Sequence, residues 1–203
     1  ISIGLGFIIA IPFGVGIKSG PLPVRIVLKA INDFLRGTPV LVQLFFVNFG
    51  VPQLARDVFG MEDFAQSFTP MMAGVLTLMI NCSAYMAEVV RSGLIAVPAG
   101  QNIAAQSLGM SKFQAFKYII WPQAFRVMIP PLMNSVVATM KDTALLSVIS
   151  VAEVLTEAEK LVSFTFDAAK YYFYVAILYF LISYPLMILA QKLEDKIRRK
   201  GYD

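Results

Sequence analysis

Polar side chains that lie inside long apolar runs are the residues of this chain that could do chemistry. Within the apolar residues 71–90, Thr77, Asn81, Tyr85 and Glu88 fall at i, i+4, i+8 and i+11, so a helix would present them as one stripe. Such a stripe at membrane depth usually faces the protein interior or a water-filled path, because lipid cannot satisfy its hydrogen bonds. We therefore predict that Asn81 and Tyr85 contact a polar solute. Hydrogen bonding between helices is the alternative, above all for Asn81.

A second polar pair follows a double proline. Pro130 and Pro131 each remove a backbone donor and clash with the carbonyl four residues earlier, which predicts a kink or a break in their helix. A break is tolerated at membrane depth where it is buried or lines a cavity. Asn134 and Ser135 lie one turn beyond the prolines, and we predict that they face the solute. The alternative is that they only cap the freed carbonyls.

Glu153 is a carboxylate within the apolar run 144–155, which is too short to cross a membrane and predicts a buried or re-entrant helix. Because apolar residues flank it on both sides, its carboxylate needs a partner, whether protein, ion or substrate. We predict that Glu153 faces the solute and pairs with a positive group. The alternative is a pair with Lys141 or Lys160, although Lys160 is also expected to form an exposed surface pair with Glu157.

The residues that are missing exclude several kinds of active site. The chain has no histidine, which removes histidine metal sites and the Ser/His/Asp and Cys/His arrangements. Cys82 is the one cysteine, and its apolar setting predicts a small packed side chain. The sequence also lacks a GxxxxGK[ST] phosphate loop, so any ATP that is used is expected to bind another chain.

The composition is that of a membrane protein. Of the 203 residues, 58% are hydrophobic and 15% are charged, whereas soluble domains are about 25% charged. We expect one all-α domain over residues 1–203. A helix with one polar face is predicted at residues 24–36, before the second of the membrane crossings given below. Because the chain starts at the apolar Ile1, residues of the first helix are expected to precede it. Five crossings are predicted, at 1–17, 40–51, 71–90, from Pro122 onward, and at 171–190.

Lysine and arginine give the crossings an orientation. Most of the basic residues fall in segments 18–36, 91–126 and 192–200, which alternate crossings place on the same side of the membrane. Basic loops are retained on the cytosolic side, so these three segments and the carboxyl terminus are predicted to face the cytosol. Arg36, in the first of these segments, is expected to act as an interfacial anchor.

Residues 98–120, called the elbow below, carry the signals of two short helices joined at a glycine. Pro98 begins the segment, and Gly109 ends the first helix, since glycine adopts the left-handed conformation without a steric penalty. Ser111 and Gln114 have the spacing of a capping box for a second helix. Taken alone, this pattern is also compatible with an amphipathic loop that lies on the lipid surface.

The elbow and its surroundings resemble the ABC importer permeases for polar amino acids. Ile103 stands where that family usually has the glutamate of its "EAA" motif. The segments that carry the resemblance are EVVRSGL, PAGQ, AAQSLGMS, FKYIIWPQAFRVMIPP and RGTPVLVQLFFVNFGVP. Within the elbow and just beyond it, the positions in the family's spacing are Ala104, Ala105, Leu108, Gly109, Ser111, Phe116 and Pro122.

The resemblance implies a type I ABC importer permease-like fold with five transmembrane helices and two short cytosolic coupling helices. It implies a bacterial inner-membrane subunit that is not an enzyme and holds no cofactor. Its partners would be a cytosolic ABC ATPase dimer that holds ATP and Mg, a second permease subunit and an extracytoplasmic binding protein. We expect the second permease subunit to be a copy of this chain in a homodimer, and a sister chain is the alternative. The residues implied to contact the ATPase are Ala104, Ala105, Leu108, Gly109, Ser111 and Phe116.

For the substrate, we expect a basic amino acid such as arginine or lysine. A zwitterion needs partners for its ammonium and carboxylate groups, and a cationic side chain needs a further anion, for which Glu153 is the candidate. A polar, uncharged amino acid fits if Glu153 binds only the α-ammonium. A secondary amino-acid transporter or channel remains the alternative function. The predicted substrate-binding residues are Asn81, Tyr85, Asn134, Ser135 and Glu153.

Overall fold

A computed structural model describes the backbone of residues 1–200 and the side chains of residues 1–197. Within that part the chain is helical and contains no strand. Two π-helical segments, Phe46–Gly50 and Phe116–Ile120, and one 3-10 helix, Thr143–Ile149, lie between the α-helices. The α-helices are α1 (Ser2–Ser19), α2 (Leu22–Gly37), α3 (Val40–Phe45), α4 (Val51–Asp57), α5 (Glu62–Ser67), α6 (Pro70–Ala96), α7 (Ala99–Ser107), α8 (Lys112–Ala115), α9 (Trp121–Asp142), α10 (Val154–Thr165) and α11 (Ala168–Lys200).

Four helical segments of the described chain are long and apolar enough to cross a membrane. A fifth is formed if α2 and the helix Val40–Asp57 are counted as one span, although a bend of 101° separates them. The expected basic tail is the carboxyl-terminal part of α11, and the side chains of residues 198–200 lie outside the described part. The four single spans are Ser2–Ser19, Pro70–Ala96, Lys112–Ile149 and Ala168–Ile197.

The centre of the molecule is α6, which packs along α1 on one side and against α9 on another. Its contact with α1 is close at Gly14, where a Cβ atom would lie 2.5 Å from the carbonyl oxygen of Ala87. Cys82 is buried in the same core, as predicted, with its Sγ 3.6 Å from the Sδ of Met86. A small residue at this contact therefore lets α1 approach α6, the helix that carries the polar stripe.

Of the kink or break predicted at Pro130 and Pro131, the break is wrong, because α9 runs through both residues as one helix. Proline fits the helical φ, and a membrane helix tolerates the lost donors where neighbouring groups compensate. The span also begins earlier than Pro122: α8, the π segment and α9 follow one another without a gap from Lys112. The second short helix of the elbow is therefore the beginning of the fourth span.

The single helix predicted over residues 144–155 is also wrong. The 3-10 helix ends at Ser150, which has a left-handed φ of 61°, and α10 begins only at Val154. Glu153 lies between them in extended conformation as the N-cap of α10. Two polar residues divide this run: Ser150 at the turn and the Glu153 carboxylate at the N-cap of the next helix. The apolar residues around them made the run look like one helix.

Candidate solute cavity

Residues from α6, α9 and the turn between α2 and α3 enclose a cavity of about 610 Å³, called the polar cavity below. It brings together segments that are far apart in the sequence, and its lining includes amides, hydroxyls and charged groups. The residues that line it are Arg36, Gly37, Thr38, Pro39, Val40, Asn81, Cys82, Tyr85, Asn134, Ser135, Ala138, Thr139 and Asp142.

Four of the five predicted substrate-binding residues line this cavity: Asn81 and Tyr85 from α6, and Asn134 and Ser135 from α9. The Ser135 hydroxyl donates to the carbonyl oxygen of Pro131 at 3.1 Å. The Nδ2 atom of Asn81 donates to Oε1 of Gln43 at 3.1 Å, so the alternative of bonding between helices also holds for this side chain. The Asn81 amide thus lines the cavity and joins two of its walls.

Gln43 fixes the turn that forms one wall of the cavity. Its Nε2 atom lies 2.6 Å from the Leu35 carbonyl oxygen and 2.7 Å from the Thr38 hydroxyl oxygen. The Thr38 hydroxyl in turn donates to the Phe34 carbonyl oxygen at 3.0 Å. Sequence reasoning missed Gln43, since its role depends on the bend between α2 and α3.

A charged group lies at the same wall. The Arg36 guanidinium stacks over the Tyr85 ring at 5.5 Å from the ring centroid, and its Nη1 lies 3.6 Å from Oε2 of Glu88. Glu88 is held more closely by Arg91, whose Nε donates to Oε2 at 2.9 Å and whose second nitrogen bonds Oε1. The Arg36 Nε atom is buried with no hydrogen-bond partner in the described chain. Arg36 therefore gives the cavity a positive charge in addition to its expected place near a membrane boundary.

The two ends of the polar stripe, Thr77 and Glu88, do not line the cavity. Thr77 is buried, and its hydroxyl donates to the Ala73 carbonyl at 2.8 Å.

The cavity also includes Asp142, the last residue of α9, which sequence reasoning missed. Its carboxylate makes no hydrogen bond or salt bridge with the described residues. The only sequence signal was an acid that interrupts an apolar pattern.

Glu153, the fifth predicted residue, is not part of the polar cavity. Its Oε1 accepts from the Thr156 backbone N–H at 2.9 Å, and its Oε2 accepts from the Tyr179 hydroxyl at 3.0 Å. It lines a separate cavity of about 210 Å³ between α9, α10 and α11. Lys160 bonds Glu157 instead, at 2.7 Å, as the surface pair predicts. The Glu153 carboxylate thus caps α10 and bonds the Tyr179 hydroxyl. Neither Lys141 nor Lys160 bonds it in the described structure.

The elbow has the predicted geometry at its turn. Gly109 has a φ of 78°, and the side chains of Ser111 and Gln114 each accept from the other's backbone N–H, which completes the capping box. Two of the expected coupling residues point inward, since Ala105 is buried and Phe116 packs against the core. The others are exposed: Ala104, Leu108, Gly109 and Ser111.

The exposed part of the elbow is unusually apolar. Leu108 is 83% exposed, Phe113 71% and Ile103 65%. An exposed apolar patch of this kind, on a turn held rigid by a cap and a left-handed glycine, is typical of a protein–protein contact.

The chain is similar in sequence to known transport proteins. Residues 2–199 match the family described as binding-protein-dependent transport system inner membrane component. The glutamine transport system permease protein GlnP of Escherichia coli (strain K12) is 33% identical over 166 residues, which cover 82% of this chain and 72% of GlnP. The L-cystine transport system permease protein TcyB of Bacillus subtilis (strain 168) is 32% identical over 195 residues, covering 96% and 79%.

Solved structures show the same fold. The crystal structure of an amino acid ABC transporter with histidines matches at a TM-score of 0.80 and 34% identity, over 96% of this chain and 88% of that one. The MetNI methionine ABC transporter matches at a TM-score of 0.74 and 16% identity, over 97% and 89%, which bears on the fold alone. The chain has the type I permease fold, and it belongs to the family of binding-protein-dependent transport system inner membrane components, as an amino-acid ABC transporter permease subunit.

Proposed function

We propose that this subunit passes a polar amino acid, with basic amino acids such as arginine or lysine favoured, through the polar cavity of an ATP-driven importer. The observation that carries the proposal is that one cavity combines a cation, Arg36, a carboxylate, Asp142, and neutral amides and a hydroxyl. An amino acid that leaves water must find partners for an ammonium and a carboxylate group.

Each of these groups has a chemically matched partner. The Arg36 guanidinium can pair with the α-carboxylate, because its planar set of donors suits carboxylate oxygens. Asp142 is the anion for a positive group, a role that the sequence assigned to Glu153, whose carboxylate is already bonded by Thr156 and Tyr179. Asn134 and Ser135 supply neutral hydrogen bonds.

The similar proteins support the amino-acid class. They include the glutamine permease GlnP, the L-cystine permease TcyB and the nopaline permease NocM of Agrobacterium fabrum (strain C58 / ATCC 33970), which is 31% identical over 195 residues. One of the solved structures is of an amino acid ABC transporter with histidines. A basic substrate for this chain is consistent with these relatives and requires the Asp142 carboxylate.

The transport energy would come from partner chains. The family supports an ATPase partner and a binding protein. We propose that the ATPase is a cytosolic ABC dimer that holds ATP and Mg, that this subunit needs no cofactor of its own, and that the binding protein delivers the substrate from the extracytoplasmic side. The exposed apolar residues of the elbow would dock on the ATPase, with Leu108 at their centre.

Because five spans cannot easily enclose a solute path, we propose a second copy of the chain, in a homodimer within the bacterial inner membrane. The distribution of lysine and arginine supports a cytosolic position for the elbow.

The substrate proposal is tested by ATP-driven uptake of radiolabelled arginine and glutamine into proteoliposomes that contain the assembled transporter. Asp142→Asn keeps the volume and removes the charge, so arginine uptake should fall more than about tenfold, as expected when a buried charge pair loses one partner. Glutamine uptake should fall much less. The matched control is Glu153→Gln, which should affect both substrates equally. An arginine loss in Glu153→Gln that Asp142→Asn does not show would refute the assignment.

The docking proposal is tested with Leu108→Cys in a background in which Cys82 is replaced by serine. A short bifunctional thiol reagent should link this residue to the ATPase subunit in the assembled complex. Phe173→Cys is the control, since Phe173 is 62% exposed but lies on the apolar helix α11. Equal linking at both positions, or none at Leu108, would contradict a specific contact with the elbow.

A further inference from the structure

A second cavity, of about 300 Å³, lies where the end of α1, the first half of α2 and the end of α6 meet. We call it the basic cavity. Four of the six residues that line it are lysine or arginine, and none of the described residues in its lining is acidic. Its residues are Ile17, Lys18, Arg25, Lys29, Arg91 and Ile95.

The cations of this cavity are largely uncompensated. Only Arg91 forms a salt bridge, with Glu88, whereas Lys18, Arg25 and Lys29 form none with the described residues. Asp33 lies one turn from Lys29 on α2, and even with Asp33 and Glu88 counted the positive charge is in excess. Like charges held around one small space repel one another, so an anion that enters the space would stabilise this arrangement.

Close helix packing brings these cations together. Gly16 on α1 faces Leu28 on α2, and a Cβ atom at Gly16 would lie 2.7 Å from the Leu28 Cδ1. Arg25 and Lys29 flank Leu28 on α2, and Lys18 is in the last turn of α1. A preference for basic residues at one side of a membrane explains the presence of cations here. It does not by itself place three chain segments around one cavity.

The position of the cavity identifies the class of anion. Ile17, Lys18, Arg91 and Ile95 lie in the last turns of two membrane spans, where the hydrocarbon region gives way to water. The outward face of α2 is apolar and exposed, as in helices that lie in the membrane interface. Its exposed residues include Leu22, Ile26, Val27, Ile31 and Phe34.

We propose that the basic cavity binds the phosphate of an anionic phospholipid headgroup, with the acyl chains against the apolar face of α2. Basic pockets between membrane helices near the interface bind phosphate headgroups, because several cations neutralise the anion while the chains stay in lipid. The bound lipid joins α1, α2 and α6 and thereby stabilises α2, the helix that carries Arg36 into the wall of the polar cavity.

The experiment measures retention of phosphatidylglycerol and of phosphatidylcholine by the purified transporter complex, using native mass spectrometry and thermal unfolding with each lipid added. The unchanged complex should retain phosphatidylglycerol in preference and should gain thermal stability from it. The triple variant Lys18→Gln, Arg25→Gln, Lys29→Gln should weaken retention about 100-fold, because each cation near an anionic headgroup changes binding about fivefold. Lys18→Arg with Lys29→Arg should keep it.

The matched control is Lys117→Gln, Lys141→Gln, Lys170→Gln, which removes the same charge from exposed residues that line neither this cavity nor the polar cavity. It should retain phosphatidylglycerol as the unchanged complex does. Equal losses in both triple variants would overturn the site. Inorganic phosphate that raises thermal stability as much as the lipid, and displaces it, would show that the occupant is a soluble phosphate and would overturn the lipid assignment.

Discussion

The polar cavity and the elbow hold their shape by different means. In the cavity, side chains join segments that are far apart: Asn81 bonds Gln43 at 3.1 Å, and Arg36 approaches Glu88 at 3.6 Å. In the elbow, the conformation depends on neighbours in sequence, through the Ser111 cap and the positive φ of Gly109.

This difference assigns separate tasks to the two regions. Bonds between helices give the cavity walls that move only if whole helices move, which suits a path that must open and close as a unit. The elbow has exposed apolar side chains available to a partner, while local bonds determine the turn between its two helices. A change in the elbow should therefore disturb transport, whereas a change beneath the cavity should disturb the fold.

The largest effect is expected for Gly14→Val, which tests whether helix packing supports the cavity. Its Cβ would lie 2.5 Å from the Ala87 carbonyl oxygen and 2.7 Å from the Val90 Cβ, so α1 must move away from α6. We expect a loss of about 3 kcal/mol in stability, measured as a lower thermal midpoint of the purified complex. Gly4→Val is the control on the same helix, where a Cβ meets nothing within 4 Å. Equal midpoints for the two variants would refute this packing.

Gly109→Val should leave the fold intact and disrupt transport. A Cβ at Gly109 meets nothing within 4 Å, so the cost arises from the backbone, whose φ of 78° is strained for a β-branched residue. A strain of about 2 kcal/mol would distort the turn and reduce ATP-driven uptake more than about tenfold. Gly100→Val makes the same change where φ is negative and space is open. Membrane levels should be normal in both variants, and normal uptake by Gly109→Val would contradict the elbow's role.

A smaller effect is expected from the hydrogen bond between Asn81 and Gln43. A double-mutant cycle of Asn81→Ala and Gln43→Ala, read from thermal midpoints, should give a coupling of about 0.6 kcal/mol, the average for such bonds in membrane proteins. The same cycle on Ser111→Ala and Gln114→Ala should alter uptake with little change in the midpoint. If the Asn81 and Gln43 cycle gives no coupling energy, the distinction between the two regions is refuted.

The sequence predicts the elbow better than the cavity for a physical reason. The glycine turn and the capping box are local features, so residues a few positions apart determine them. Helical periodicity grouped Asn81 with Tyr85 and Asn134 with Ser135, and all four line the polar cavity, while their contact with a substrate stays a prediction. Asp142 and Gln43 were missed because their positions depend on where α9 ends and on the bend before α3. Glu153 lines a separate cavity, because the apolar run concealed the start of a new helix.

The measurement that tests the account most directly is substrate protection of a cysteine inside the polar cavity. With Cys82 replaced by serine, Ser135→Cys should react with a water-soluble thiol reagent, and an excess of arginine should slow this reaction in the assembled transporter. Glu153→Cys, in its separate cavity, should show no protection. If arginine protects Glu153→Cys and leaves Ser135→Cys unaffected, the solute path does not pass through the polar cavity.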